Sequence, residues 1–232
     1  MKKLSILLLL CLLLGAVSAW ASVVGTTDPN IFSDSVVWCT NYTCDSMPPT
    51  QLGSPQTWLS NNGRTGFLGL VSSQNMEIRQ QGLTWDGNFP AQMGIVYNGV
   101  FSLGNMPGGI LISLDTPSNG AGAWIQDNWL NTAFTATITL YDSGFNLLGA
   151  YSAPGYSDTN VGTALFIGAY DSNPDVTYAL FDVNDGINAE DFAIGTLRLD
   201  AVPEPGTLML LGPSALGLFG ILRRRLARKE VQ

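Results

Sequence analysis

The segment Phe134-Thr135-Ala136-Thr137-Ile138-Thr139-Leu140-Tyr141 swaps apolar and polar side chains at almost every step. Successive side chains of a strand point to opposite faces, so a period of two sets Phe134, Ala136, Ile138 and Leu140 on one face and the threonines on the other. Asp142-Ser143-Gly144 then turns the chain into residues 146–151, completing a hairpin. Other short clusters rich in β-branched and aromatic residues are punctuated by Gly, Asn, Asp, Ser and Pro. They predict strands at 36–38, 66–71, 76–80, 92–97, 109–114, 164–170, 176–182 and 192–199. Nothing between residues 22 and 202 repeats with the 3.6-residue period of an apolar helix face. Many short strands and no helix predict an all-β antiparallel sandwich of the jelly-roll kind.

Both ends of the chain differ from this body. Lys2 and Lys3, the apolar run 4–14 and Ala19-Trp20-Ala21 have the three parts of a secretory signal peptide, with cleavage expected between Ala21 and Ser22. Cleavage after Val17-Ser18-Ala19 would move the start by two residues. The run is shorter than the ~18 residues a spanning helix usually needs, which argues against an uncleaved anchor. At the far end, residues 207–222 carry no charge, and Arg223, Arg224, Arg225, Arg228 and Lys229 follow. At ~1.5 Å per residue this run reaches about 24 Å against a hydrocarbon core of about 30 Å, a gap that arginine snorkelling or local bilayer thinning can close. The basic tail predicts a transmembrane helix with its end in the cytoplasm and the body outside.

Ahead of this run stands Pro203-Glu204-Pro205, and two prolines keep the stretch extended and outside any sheet ladder, accessible to a protease. The order Pro203-Glu204-Pro205, Gly/Leu-rich apolar run, then Arg223-Arg224-Arg225 resembles the PEP-CTERM sorting signal of Gram-negative bacteria. The resemblance covers residues 202–229. It implies recognition by an exosortase, a membrane-embedded cysteine protease that cuts near the Pro-Glu-Pro motif, and delivery to the cell surface or an exopolysaccharide matrix. The alternative is a rigid spacer before a permanent anchor. The expected organisation is a signal peptide at 1–21, an ectodomain at 22–202 and a sorting signal at 203–229.

The ectodomain has three basic residues, Arg64, Arg79 and Arg198, against 16 acidic ones, a net charge of −13, and no histidine or lysine. A body this acidic repels phosphate backbones, so nucleic acid is not expected as a partner. With the leader removed, Cys39 and Cys44 remain as the only two cysteines. Outside the cytoplasm they are expected to pair, closing a short loop and contributing about 2 to 3 kcal/mol. Two thiolates without histidine do not make a usual zinc set.

A second resemblance spans roughly residues 92–200. Ala121-Gly122-Ala123-Trp124-Ile125-Gln126, the strand from Phe134, Leu165-Phe166-Ile167-Gly168-Ala169 and Asp191-Phe192-Ala193-Ile194-Gly195-Thr196-Leu197 are similar to the β-sandwich body of many PEP-CTERM proteins. That body looks like galactose-binding or carbohydrate-binding jelly rolls, which implies a fold rather than an activity. Residues before about 90 match no known pattern and are expected to supply outer strands or a cap.

Without histidine the body cannot build a Ser-His-Asp or Cys-His set. Glycoside hydrolysis needs two placed carboxylates, and no spacing here nominates a pair. The expectation is therefore a non-catalytic protein, with a glycan-acting enzyme or a ligand-free matrix component as the alternatives. Asp182-Val183-Asn184-Asp185-Gly186 resembles a calcium loop but is one residue short before the glycine. A polar turn using Asn184, Asp185 and Gly186 is the preferred reading, no metal or other cofactor is expected, and calcium is the alternative. Sugars stack their C–H faces on aromatic rings and exchange hydrogen bonds through their hydroxyls. Trp124, Gln126, Asp127, Asn128 and Trp129 form the densest set with that chemistry, and Trp85, Asp86 and Asn88 form a second. The competing role for any single tryptophan is core packing.

Overall fold

The structure, a computed structural model, describes residues 23–38, 50–52, 56–70, 76–98, 108–186 and 191–201. Among these the strands in chain order are β1 Val24–Thr26, β2 Phe32–Val36, β3 Thr50–Leu52, β4 Gln56–Leu59, β5 Thr65–Leu70, β6 Met76–Gln80 and β7 Gly94–Asn98. They continue with β8 Ile110–Ser118, β9 Gly120–Asp127, β10 Thr132–Tyr141, β11 Leu147–Ser157, β12 Leu165–Tyr170, β13 Val176–Asn184 and β14 Phe192–Ala201. One single-turn 3-10 helix, Pro29–Ile31, is capped by the Asp28 side chain. The strands form two antiparallel sheets. One runs β11-β10-β13-β8-β5-β4. The other runs β1-β12-β9-β14-β7-β6-β3, with β2 pairing the far half of β14 beyond a register shift.

The alternating segment behaves as its pattern dictates. Phe134, Ala136, Ile138 and Leu140 in β10 are buried, and they meet Ala121, Ala123 and Ile125 of β9 within one core between the sheets. Each fully buried Ile or Phe there contributes roughly 1.5–3 kcal/mol relative to exposure. The hairpin turn forms where expected, with Asp142 Oδ1 accepting from Gly144 N at 2.8 Å and Asn146 N at 2.9 Å. Pro154 is tolerated in β11 because that strand is a sheet edge.

Three differences from the sequence expectation have physical causes. Strand β9 carries no period-two signal in the sequence, because Gly120-Ala121-Gly122-Ala123 hides its alternation in small residues. Those residues are required by packing: Gly122 lies opposite Gly168 in β12, and a Cβ on it would come within 2.6 Å of the Phe166 ring. The segment expected at 36–38 runs instead as Phe32–Val36. Trp38 beyond it is buried and donates its Nε1–H to Gly195 O at the step in β14. Strands β1, β3 and β4 are too short to show a period, yet they and β2, β5 and β6 make the region before residue 90 a supplier of outer strands to both sheets.

The turn after β13 uses the residues expected, Gly186 at φ +76° and Asn184 Oδ1 accepting from Gly186 N. It connects strands in different sheets. Ala21, Ser22, Cys39, Cys44, Pro203, Glu204, Pro205, the run 207–222 and Arg223, Arg224 and Arg225 lie outside the described residues. Among the described residues no helix is long and apolar enough to cross a membrane.

Candidate functional site

The chain between β6 and β7 folds back over the outer face of the second sheet. Gln80 O accepts from the backbone N–H groups of Leu83, Thr84 and Trp85, and Gly82 takes φ +79° to close the turn. This drives Trp85 onto Tyr97 of β7, ring centroids 5.3 Å apart, and against Phe89 at 6.3 Å. Trp85, Phe89, Ile95, Tyr97 and Ala193 form a second apolar cluster outside the main core, and β7 is consequently buried along its whole length.

Gln126 in β9 locks that loop down. Its Oε1 accepts from Trp85 Nε1 at 3.0 Å and from Asn88 N at 2.9 Å, while its Nε2 donates to Ser157 Oγ at 2.9 Å and Asp158 O at 3.3 Å. Gly87 passes so close to this amide that a Cβ would overlap both the Gln126 carboxamide and Trp85 Nε1. The two tryptophan-containing sets read separately in the sequence thus meet through one buried glutamine.

The meeting leaves a groove of about 240 Å³ lined by Arg79, Thr84, Trp85, Asp86, Gly87, Asn128 and Leu130. Arg79 bonds Glu77 Oε2 through Nε at 3.0 Å and Nη2 at 2.8 Å, and its guanidinium lies 3.9 Å from the Tyr97 ring centroid. Beneath, Asn128 Nδ2 donates to Asp191 Oδ2 at 2.9 Å and reaches the Tyr97 hydroxyl oxygen at 3.4 Å. Burial first, and then the neighbouring Asp191 carboxylate, push the Tyr97 hydroxyl above its ordinary range. Burial likewise raises Asp191, against the opposing hydrogen bond from Asn128 and the nearby Tyr97 hydroxyl.

The five residues nominated at 124–129 do not form one surface. Gln126 and Asp127 are fully buried, which corrects the expectation that they touch a ligand directly. Asp127 accepts from Trp129 N at 3.2 Å while its Oδ2 is buried without a partner; burial is the main cause that raises its pKa to about 6. Trp124 is half-buried, edge-on to Phe166 at 5.0 Å with the Arg198 guanidinium 5.5 Å from its ring. Asn128 lines the groove, and Trp129, in the same turn, is 53% exposed. Arg79, Thr84, Tyr97 and Leu130 were missed. Arg79 offered a signal, being one of only three cations between residues 22 and 202. Among the described residues no group of three or more His, Cys, Asp or Glu side chains is arranged to hold a metal ion.

These features define the chain as an antiparallel β-sandwich protein with a lateral groove. No family model matches it, and no curated protein matches it in sequence. Among solved structures it is similar to a DUF4465 family protein from Bacteroides caccae, at 15% identity over 73% of this chain and 97% of that one, TM-score 0.39. It is also similar to an arabinose-bound MgGH51 α-L-arabinofuranosidase, at 14% identity over 72% of this chain and 27% of the enzyme, TM-score 0.41. A third is the enzymatically active domain of tailspike protein 4 from bacteriophage CBA120, at 15% identity over 75% and 22%, TM-score 0.33.

Proposed function

We propose that the protein is an exported, non-catalytic glycan-binding sandwich of jelly-roll-like type that holds one stretch of polysaccharide in the groove beside Trp85, Asp86 and Asn128. The observation that carries this reading is the convergence of a guanidinium, a hydroxyl, a carboxylate, an amide and apolar surface on one concavity. That mixture matches hydroxyl-rich rings with apolar faces. Its volume is below the roughly 300 Å³ at which pockets begin to enclose small ligands, so it fits part of a chain rather than a whole free molecule.

The non-catalytic reading rests on the carboxylates. Among the described residues Asp86 is the only carboxylate lining the groove, whereas glycoside hydrolysis needs a pair across the scissile bond. Asp127 has the raised pKa often found in catalytic acids, but its lack of accessible surface keeps it from substrate. Incubating the full chain with a polysaccharide panel tests this. Retention without new reducing ends supports a binding module, new reducing ends establish an enzyme, and neither leaves a structural matrix component.

Export, membrane insertion and exosortase sorting are proposed from the terminal sequences alone: the leader cut between Ala21 and Ser22, and Pro203-Glu204-Pro205 ahead of the apolar run and the arginines. The destination is the cell surface or exopolysaccharide matrix of a Gram-negative bacterium. Co-expression with and without an exosortase, followed by intact mass, tests sorting. A C-terminus at Gln232 in both rejects processing. Non-reducing mass analysis tests the Cys39–Cys44 pairing, which free thiols would refute.

A further inference from the structure

We infer that the groove takes a neutral, hydroxyl-rich polysaccharide and rejects polyuronates and other anionic chains, an inference that rests on the glycan-binding reading above. An arginine in a sugar site normally suggests a ligand carboxylate, which a guanidinium grips in bidentate fashion. Here two of its nitrogens are already committed to one oxygen of Glu77, and its face is laid on Tyr97. Among the described residues, a carboxylate arriving at the groove meets no unneutralised cation.

The other charges around it are negative. Asp86 lines the groove and is exposed, and Glu77 and Asp191 lie behind it. The remaining two ectodomain cations are engaged elsewhere: Arg64 Nε pairs with Asp200 Oδ2 at 2.6 Å, and Arg198 sits against Trp124. A net charge of −13 spread over the ectodomain adds long-range repulsion that lowers the local concentration of any polyanion. A neutral chain escapes both penalties and can still use Asp86 and the Asn128 amide for its hydroxyls.

Affinity electrophoresis of the full chain in gels containing galactomannan, xyloglucan or dextran, and separately alginate or polygalacturonate, tests this at low salt. The expected result is retardation by at least one neutral polymer and none by either polyuronate. Asp86→Lys should create polyuronate retardation. Moving two unit charges at about 6 Å in a water-like dielectric corresponds to roughly tenfold in affinity, and salt should erase the gain. Retardation by polyuronates at wild-type charge overturns the inference while leaving glycan binding intact. The absence of retardation by every polymer overturns the glycan-binding reading as well.

Discussion

Replacing Asp127 by asparagine should stabilise the sandwich at pH 7 to 8 and have little effect at pH 4. Asp127 closes the last rung of β9, with no accessible surface and one carboxylate oxygen unpartnered. Burial is the largest cause that raises its pKa from 3.8 to about 6, with repulsion from Asp185 and Asp191 adding to it. A folded-state pKa above the unfolded one means stability that is fully present below about pH 4 and is lost as pH climbs through about 6. Two pKa units correspond to about 3 kcal/mol. The asparagine keeps an acceptor for Trp129 N but buries an amide N–H in place of the lone oxygen, which takes back part of that gain. The expected net effect is about 1 to 2 kcal/mol at pH 7.5. Urea unfolding of wild type and Asp127→Asn from pH 4 to 8, with a chelator present, reads out Asp127 together with its coupling to Asp185 and Asp191, because the titrating groups not coupled to it cancel in the difference. A difference independent of pH, or a destabilisation at pH 7.5 comparable to that at pH 4, would refute the buried, ionisation-penalised carboxylate.

Other perturbations separate the loop from the core. Gln126→Ala leaves Trp85 Nε1–H and Asn88 N–H buried without their acceptor, so a loss of about 2 to 6 kcal/mol in urea unfolding is expected, at roughly 1–3 kcal/mol per orphaned group. Gly87→Ala should lower stability by about 1 to 3 kcal/mol and abolish retention by neutral polysaccharide, since the new methyl displaces the Gln126 carboxamide that sets the groove wall. Ile138→Ala, in the main core and far from the loop in sequence, should cost about 2 to 5 kcal/mol while folded protein keeps its ligand affinity. A Gln126→Ala protein as stable as wild type, or an Ile138→Ala protein that folds but does not bind, would break the separation.

The sheet framework was readable where one face is apolar and the other polar over several residues, as in β10, because burial and pleat then give the same answer. It was not readable in β9, where glycines required by the aromatic cover of the neighbouring strand erase the pattern. The groove was half legible. Trp85, Asp86 and Asn128 stood out by composition, but nothing local announces that residues 41 apart, Trp85 and Gln126, share a hydrogen bond. Nor could composition separate Gln126 and Asp127, which are fully buried, from Asn128, which lines the groove. The sequence marks Arg79 only as one of three cations between residues 22 and 202; its place in the groove and its pairing with Glu77 come from the folded structure.

The central claim is that ligand is held where the β6–β7 loop meets the turn after β9. Hydrogen exchange of the full chain, with and without the neutral polysaccharides, measures this most directly. The account predicts slowed exchange confined to residues 79–88 and 126–130. Protection on the outer face of the opposite sheet, around β5 and β8, or no protection with any polymer, would contradict it.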